Sequence, residues 1–373
     1  MDSFRFITAL PADICLGSGC YVGTRLLAEG LRRLGNPVEI VRPTHVLPNF
    51  AATRVLFNET LRWRDPGARA TIGIDADGYA IAGKRNAPPH IACIKGVLGD
   101  VVRFETGFTR VSMAFQAGLE ARHAQNADLV ITTSRYCVER IEELYGVPGA
   151  IVVPELIDLH RWHELFQANS IEHKEDRFTI LCVCRFYPRK GLTTLLQAAA
   201  HLRQTIPELE VRVVGNGPQY RNLRGICTAL GLDAVVHWLG DVSLARLAQE
   251  YNRADLFCLP SLQEGFGIVF LEAMAAGKPI VAVGAAAVPE VVRHGILAEP
   301  ENAESLAAGI MQLYRNPALA HSLASQAREA VESFDVLNVA RLFLSKIARV
   351  SPVAQNTEAG CMRTPGSIGV TGV

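Results

Sequence analysis

Short apolar runs alternate with longer amphipathic ones along most of the chain, and this alternation predicts its elements. The first half reads as a strand in FRFITAL, a helix in GTRLLAEGLRRLG closed by Gly35, and a strand in PVEIVRP. Strands follow in ATIGID and HIACIKG, then a helix in SMAFQAGLEARHAQN, a strand in DLVITTS, a helix in YCVERIEELYG and an end near AIVVPELI. Residues 160–177 are polar and carry no strand pattern, so a linker is expected there. A second alternation then starts with TILCVCRF, GLTTLLQAAAHLRQT, LEVRVVG, a helix over 220–230 and VVHWLG. It continues through SLARLAQEYNRA, DLFCLP, a helix in GIVFLEAMAAGKP, the strand PIVAV and three closing helices near 303–314, 317–333 and 336–350.

Two rounds of strand–helix alternation imply an α/β chain with two parallel sheets, each covered by helices on both faces. The expected domains are residues 1–159 and 178–335, both Rossmann-like, with the helix 336–350 packing back on the first. The tail, 351–373, is rich in Gly, Pro, Ser and Thr and is expected to be disordered. Ligands of such sheets bind at the carboxyl ends of the strands, so two facing sheets place the site in the cleft between them.

Composition narrows the function. A chain of 373 residues suits two domains, and Lys+Arg and Asp+Glu both number 37. That balance argues against a nucleic-acid partner, whose affinity would draw on excess basic charge. Nine cysteines lack a metal-ligand spacing, and Cys182 and Cys184 fall in a buried-looking strand. Free thiols fit a reducing compartment. The first residues show no basic leader, and no apolar run nears the roughly 20 residues that span a bilayer. A cytoplasmic protein is expected. Peripheral membrane contact stays open, through a local basic patch or the helix TRLLAEGLRRLG.

The chemistry concentrates in SLQEGFGIVFLEAMAAGKP, residues 261–279. A strand delivers the chain to a turn at Ser261–Phe266 that holds Glu264 and Gly265, and a helix begins near Gly267. Amides at a helix start lack intrahelical acceptors and carry the positive dipole end, so they favour an anion. Glu272 lies further along the helix, and helical side chains lean back toward its start. The two carboxylates can flank one ligand whose phosphates meet the helix start, and a carboxylate accepting vicinal hydroxyls clamps a ribose or hexose. The plain alternative is a helix cap at Glu264 and a solvated Glu272, which its neighbours Val269, Phe270, Leu271, Ala273 and Met274 disfavour. RFYPRKG, residues 185–191, offers Arg185 and Lys190 at another strand end, two cations suited to a diphosphate. VVGNGP adds a glycine turn at Gly215 that a plain turn explains equally well.

In this order, R-x4-K-G at 185–191, VVGNGP, HWLGDVS, the E-x7-E element from Glu264 to Glu272 and GILAEP, the second half resembles the donor domain of the retaining glycosyltransferases of family 4, which have the GT-B fold. The resemblance implies that Arg185 and Lys190 hold the donor diphosphate. It implies that Glu264 contacts the transferred sugar, that Glu272 takes the ribose hydroxyls and that the amides of Gly265–Ile268 meet phosphate or sugar. The base would lie near Trp238, Leu239 and Gly240. The glycine loop GSGCYVG, with Gly19, is similar to the family's loop facing the phosphates and the acceptor. Two positions depart from the pattern: Lys95-Gly96 stands where the family often has a histidine, with His90 five residues earlier, and Val153-Pro154-Glu155 replaces Pro-Asn-Gly.

Two decoys are set aside. GSGCYVG with Glu39 imitates a dinucleotide-binding motif, but its spacing is GxGxxxG and six residues separate it from the strand. Asp75-Ala76-Asp77 imitates a metal-binding D-x-D, and Asp77-Gly78 reads equally as a turn. The expected activity is retaining transfer of a sugar from a nucleoside-diphosphate donor to a sugar, lipid or small-molecule acceptor. Arg185, Lys190 and Glu264 are the catalytic candidates, with no cofactor required and no divalent metal indicated. The alternatives are another nucleotide-sugar reaction on the same fold, epimerisation or phosphorolysis, and a sugar-nucleotide-binding protein without turnover.

Overall fold

The computed structural model describes residues 3–9, 19–63, 67–84, 87–171 and 176–350. The first lobe runs β1 (Phe4–Ile7), α1 (Gly19–Arg33), β2 (Val38–Val41), α2 (Phe50–Thr60), β3 (Ala70–Ile74), β4 (His90–Ile94), α3 (Leu98–Val101), α4 (Gly107–Asn126), β5 (Leu129–Thr132), α5 (Arg135–Tyr145) and β6 (Ile151–Val152). The second runs α6 (Leu159–Ala168), β7 (Phe178–Val183), α7 (Leu192–Leu202), β8 (Leu209–Val214), α8 (Tyr220–Ala229), β9 (Val236–Gly240), α9 (Leu244–Arg253) and β10 (Leu256–Leu259). It ends with α10 (Ile268–Ala275), β11 (Ile280–Val283), α11 (Val288–Val291), β12 (Ile296–Ala298), α12 (Ala303–Arg315), α13 (Pro317–Ala330) and α14 (Val336–Ile347).

Each lobe holds one six-stranded parallel sheet, ordered β2-β1-β3-β4-β5-β6 and β12-β11-β10-β7-β8-β9. Helices cover both sides of each sheet, so all of β3, β4, β8, β10 and β11 is buried, and the charged Glu210 and Arg212 of β8 pair with each other. In the second sheet the order reverses between β7 and β10, and in the first between β1 and β3. A doubly wound sheet leaves its ligand crevice at such a reversal, beyond the carboxyl ends of the strands. The loops after β7 and β10 are those that carry Arg185–Gly191 and Ser261–Gly267.

Two connections join the lobes side by side: Ile157 N donates to Phe334 O (3.0 Å) and Val336 N to Ile157 O (2.9 Å). The stretch read as linker is helical through Ala168. Asp158 caps α6 by accepting from Arg161 N, and Trp162 packs on Phe166 and Tyr251, inside the core of the second lobe. Helix α14 returns to the first lobe, where Phe343 meets Phe4 and Phe6 with ring centroids 6.4 Å apart in each pair. The apolar positions of α1, Leu26, Leu27 and Leu31, are buried in that same core, so this helix presents no apolar face for a membrane. The tail 351–373 lies outside the described residues.

Candidate active site

At the reversal point of the second sheet, the loops after β7 and β10 are tied together. Leu262 N donates to Arg189 O (2.7 Å), and the Ser261 hydroxyl reaches the same carbonyl (3.2 Å). This brings Lys190 Nζ to 2.5 Å from Glu264 Oε1, both side chains about one-tenth exposed. Arg185, five residues earlier and just beyond the end of β7, pairs with Asp241 at 3.2 Å and stays about one-third exposed. Gly267, at φ +93°, ends the turn, and Ile268 opens α10. Its first amides therefore emerge beside the Lys190–Glu264 pair, as a site for an anion requires.

Glu272 lies a turn further along α10. Its carboxylate accepts from the Tyr251 hydroxyl at 2.9 Å, and burial pushes its pKa up to about 7 against the opposing pull of that hydrogen bond. The remaining candidates are less directly placed. Gly215 packs on backbone: a Cβ there would lie 2.0 Å from Cys184 O. Trp238 stands in an aromatic cluster with Phe186 and Tyr220, and Leu239 beside it is half-buried. Phe266 turns its ring onto Phe334, 5.5 Å away, toward the lobe connections.

The first lobe closes directly on this turn. A Cβ on Gly265 would sit 2.2 Å from Lys95 O, so only glycine permits the approach. The Thr133 hydroxyl lies within reach of both Lys95 O (3.1 Å) and Gly265 O (2.8 Å), and Gln263 Nε2 donates to Gly96 O (3.2 Å). Gly19, the first residue of α1, is in contact distance of Ile268: a Cβ there would meet Ile268 Cδ1 at 3.6 Å. Two helix starts from opposite lobes thus meet. Gly17 and Ser18 of the glycine loop lie outside the described residues. Farther out, the Glu290 carboxylate of α11 accepts from Arg135 N (2.9 Å) and Tyr136 N (2.7 Å) at the start of α5, holding the lobes together.

Sequence reasoning did not foresee the polar floor under this cleft. Lys95 Nζ donates to both oxygens of Glu155 (2.7 and 2.8 Å), and Lys95 N donates to Asp75 Oδ1 (2.8 Å). Asp75 also accepts from the Cys20 thiol (3.2 Å). The two departures from the family pattern are therefore partners. His90 offers no replacement for the expected histidine. It opens β4 at the far end of the sheet, bonded to Thr71 (2.7 Å) and His123 (2.8 Å), and burial holds its pKa well below the ordinary value. Asp75 and Asp77 lie in a turn after β3, where Asp77 accepts from Ala9 N, Arg54 and Asn58. Glu39 pairs with Arg5 (2.9 Å) on neighbouring strands.

Two Rossmann-like lobes with parallel sheets, meeting where helix starts and paired charges line a cleft, define the GT-B class. The comparisons place the chain within it. Residues 164–330 match the family model described as glycosyl transferases group 1. A GDP-mannose-dependent alpha-(1-6)-phosphatidylinositol monomannoside mannosyltransferase of Mycobacterium tuberculosis is 28% identical over 250 residues, covering 63% of this chain and 64% of that one. A D-inositol 3-phosphate glycosyltransferase of Pseudarthrobacter chlorophenolicus is 31% identical across 52% of this chain and 48% of its own length. The chain thus matches about half to two-thirds of the length of these relatives. Among solved structures, sucrose-phosphate synthase from Thermosynechococcus elongatus superposes with a TM-score of 0.79 at 22% identity, covering 94% of this chain and 98% of that one. Anabaena HepE in complex with UDP and glucose gives 0.69 at 19%, covering 93% and 100%. At such identities these structures establish the fold.

Proposed function

We propose that the protein moves a sugar from a nucleoside-diphosphate donor to an acceptor hydroxyl with retention of anomeric configuration. The observation that carries this reading is the Lys190–Glu264 pair at the start of α10, opposite Gly19. Before the donor arrives, each charge satisfies the other. A diphosphate entering at the helix start draws Lys190 to itself and releases Glu264 to accept hydroxyls of the sugar. Arg185 adds a second cation, and its exposure leaves it able to swing from Asp241 to phosphate. Charge that grows on the departing diphosphate then meets fixed donors, usually the largest catalytic contribution. Glu272 takes the ribose hydroxyls. The acceptor attacks from the side the diphosphate leaves, which retains configuration, and the apposed lobes exclude water.

The named activities of the relatives support a UDP- or GDP-linked hexose as donor and an inositol, glycan or lipid-linked acceptor. Peripheral membrane contact fits the latter: Phe108, Val111 and Phe115 are exposed along one side of α4, next to Arg110. Among the described residues no helix is long and apolar enough to cross a membrane. Sedimentation with anionic vesicles, wild type against Phe108→Ser, tests that contact.

Thermal stabilisation by UDP, GDP, ADP, dTDP and CDP, on wild type and Glu272→Ala, tests the donor site. Binding at a hundredfold excess over Kd stabilises by about 2.7 kcal/mol. A shift for one base that Glu272→Ala removes supports the reading and names the nucleotide; no shift in folded protein refutes it. NMR of the product's anomeric proton then checks retention. Nucleotide binding without transfer or hydrolysis would favour a sensor.

A further inference from the structure

Both helix starts rest on Lys95. Its carbonyl underlies Gly265 in the turn before α10, with the Thr133 hydroxyl bridging the two. Its ammonium underlies the first turns of α1: a Cβ on Gly23 would fall 1.9 Å from Glu155 Oε2 and 2.9 Å from Lys95 Nζ. Gly23, the last glycine of GSGCYVG, therefore makes room for an ion pair. Lys95 and Glu155 follow β4 and β6 at the carboxyl ends of the first sheet, 8% and 4% exposed.

A buried ion pair is seldom selected for stability, since its desolvation cost offsets its attraction. Its position suggests another use. Glu155 lies under the positive end of α1, which favours a carboxylate. An uncompensated carboxylate there would oppose an incoming diphosphate.

We infer that Lys95 and Glu155 are positioning residues for the donor diphosphate: the pair seats the start of α1 against the start of α10, and Lys95 cancels the Glu155 charge that would repel the phosphates. The inference rests on the donor-site reading above. The other titratable groups facing Glu155 are Asp75 after β3, Cys20 on α1 and Cys93 on β4. Burial keeps both thiols protonated, Cys93 pushed up to about 12 and Cys20 well above its ordinary value. Lys95 also acts on Asp75, lowering its pKa, so the effect of Asp75 is removed by comparing Lys95→Met with the double variant, which lacks Lys95 as well.

The test is calorimetric titration with UDP and GDP between about pH 6 and pH 8.5, read as variant Kd over wild-type Kd. In Lys95→Met, Glu155 loses its counter-charge and takes a proton at the lower pH. As pH rises it ionises, and the ratio should grow about tenfold. The double variant Lys95→Met, Glu155→Met removes both charges and should show a flat ratio, with the fold retained because apolar replacement of a buried pair is often neutral. Glu155→Gln leaves the ammonium unpaired and should tighten nucleotide binding about threefold or more; compared with the double variant, it carries the same contrast if Lys95→Met does not fold. A purely structural pair predicts ratios independent of pH and of which charge is removed, and that result overturns the inference. Wild type that binds none of UDP, GDP, ADP, dTDP and CDP at any pH overturns the donor-site reading itself, a failure seen without any variant.

Discussion

Lys190 Nζ and Glu264 Oε1 lie 2.5 Å apart although 74 residues separate them, because β7 and β10 are neighbours at the reversal point of the second sheet. The pair is formed without a ligand, and the proposed function gives its two members different tasks once a donor binds. Lys190→Met removes the charge that meets phosphate, so nucleoside diphosphate alone should bind at least tenfold more weakly. Glu264→Gln leaves that cation available, so nucleotide affinity should hold or improve while transfer falls about a hundredfold or more. Nucleotide Kd and kcat measured on the same preparations separate the two; parallel losses in both variants would sink the division of roles.

Glu272 sets a pH dependence. Its folded pKa, raised by burial to about 7, lies above the ordinary 4.5, so the neutral form is favoured in the unliganded protein. The sign follows: this group stabilises the fold relative to its ionised form below the ordinary value, and that contribution is lost as pH rises through about 7. Ribose hydroxyls need the ionised form as acceptor. Nucleotide affinity should therefore rise about tenfold from pH 6 to pH 8, and Glu272→Gln should flatten the profile. Tyr251→Phe removes the hydroxyl that opposes the upward shift and should move the midpoint higher.

Gly265→Ala places a Cβ 2.2 Å from the Lys95 carbonyl, backbone that has little room to yield. Each lobe keeps its own core, so global stability should change little. The lobes, however, must part, and kcat/KM should fall about a hundredfold or more, as misplacement of reacting groups does. Small-angle scattering should show a larger radius of gyration; an unchanged radius with full activity would contradict the approach seen here.

The Glu290 contact with Arg135 N and Tyr136 N is a separate latch between lobes. Glu290→Ala should speed opening and raise donor hydrolysis relative to transfer severalfold, measured as free sugar against glycosylated acceptor. An unchanged ratio would assign the contact to stability alone.

The second lobe was legible because its strands are mostly apolar runs and its turn glycines stand at the strand ends. Gly267 marked the start of α10 to within one residue. Other elements hid for physical reasons. Helix α2 turns Thr53, Arg54 and Asn58 inward beside Phe57, so no apolar period betrays it; Arg54 is held by Asp77 and Gln116 instead. Strand β12 has three residues, and α6 buries its Trp162 and packs the half-buried Phe166 on the core from within a polar stretch. Lys95 and Glu155 each looked like an isolated departure. Their pairing over 60 positions depends on where β4 and β6 lie in the sheet, which strand order decides.

Helix α14 has a consequence for how the chain is made. Phe343, fully buried against Phe4 and Phe6, belongs to the core of the lobe that leaves the ribosome first, yet it is among the last described residues to emerge. Vectorial synthesis therefore cannot complete the first lobe until the second has been translated. For that interval Phe4, Phe6 and Leu31 lack their cover, a window in which chaperones or premature aggregation would act. Phe343→Ala would make that gap permanent, at about 3–5 kcal/mol. The finished active site is in this sense timed: its two halves are sealed by the same closing stretch of chain.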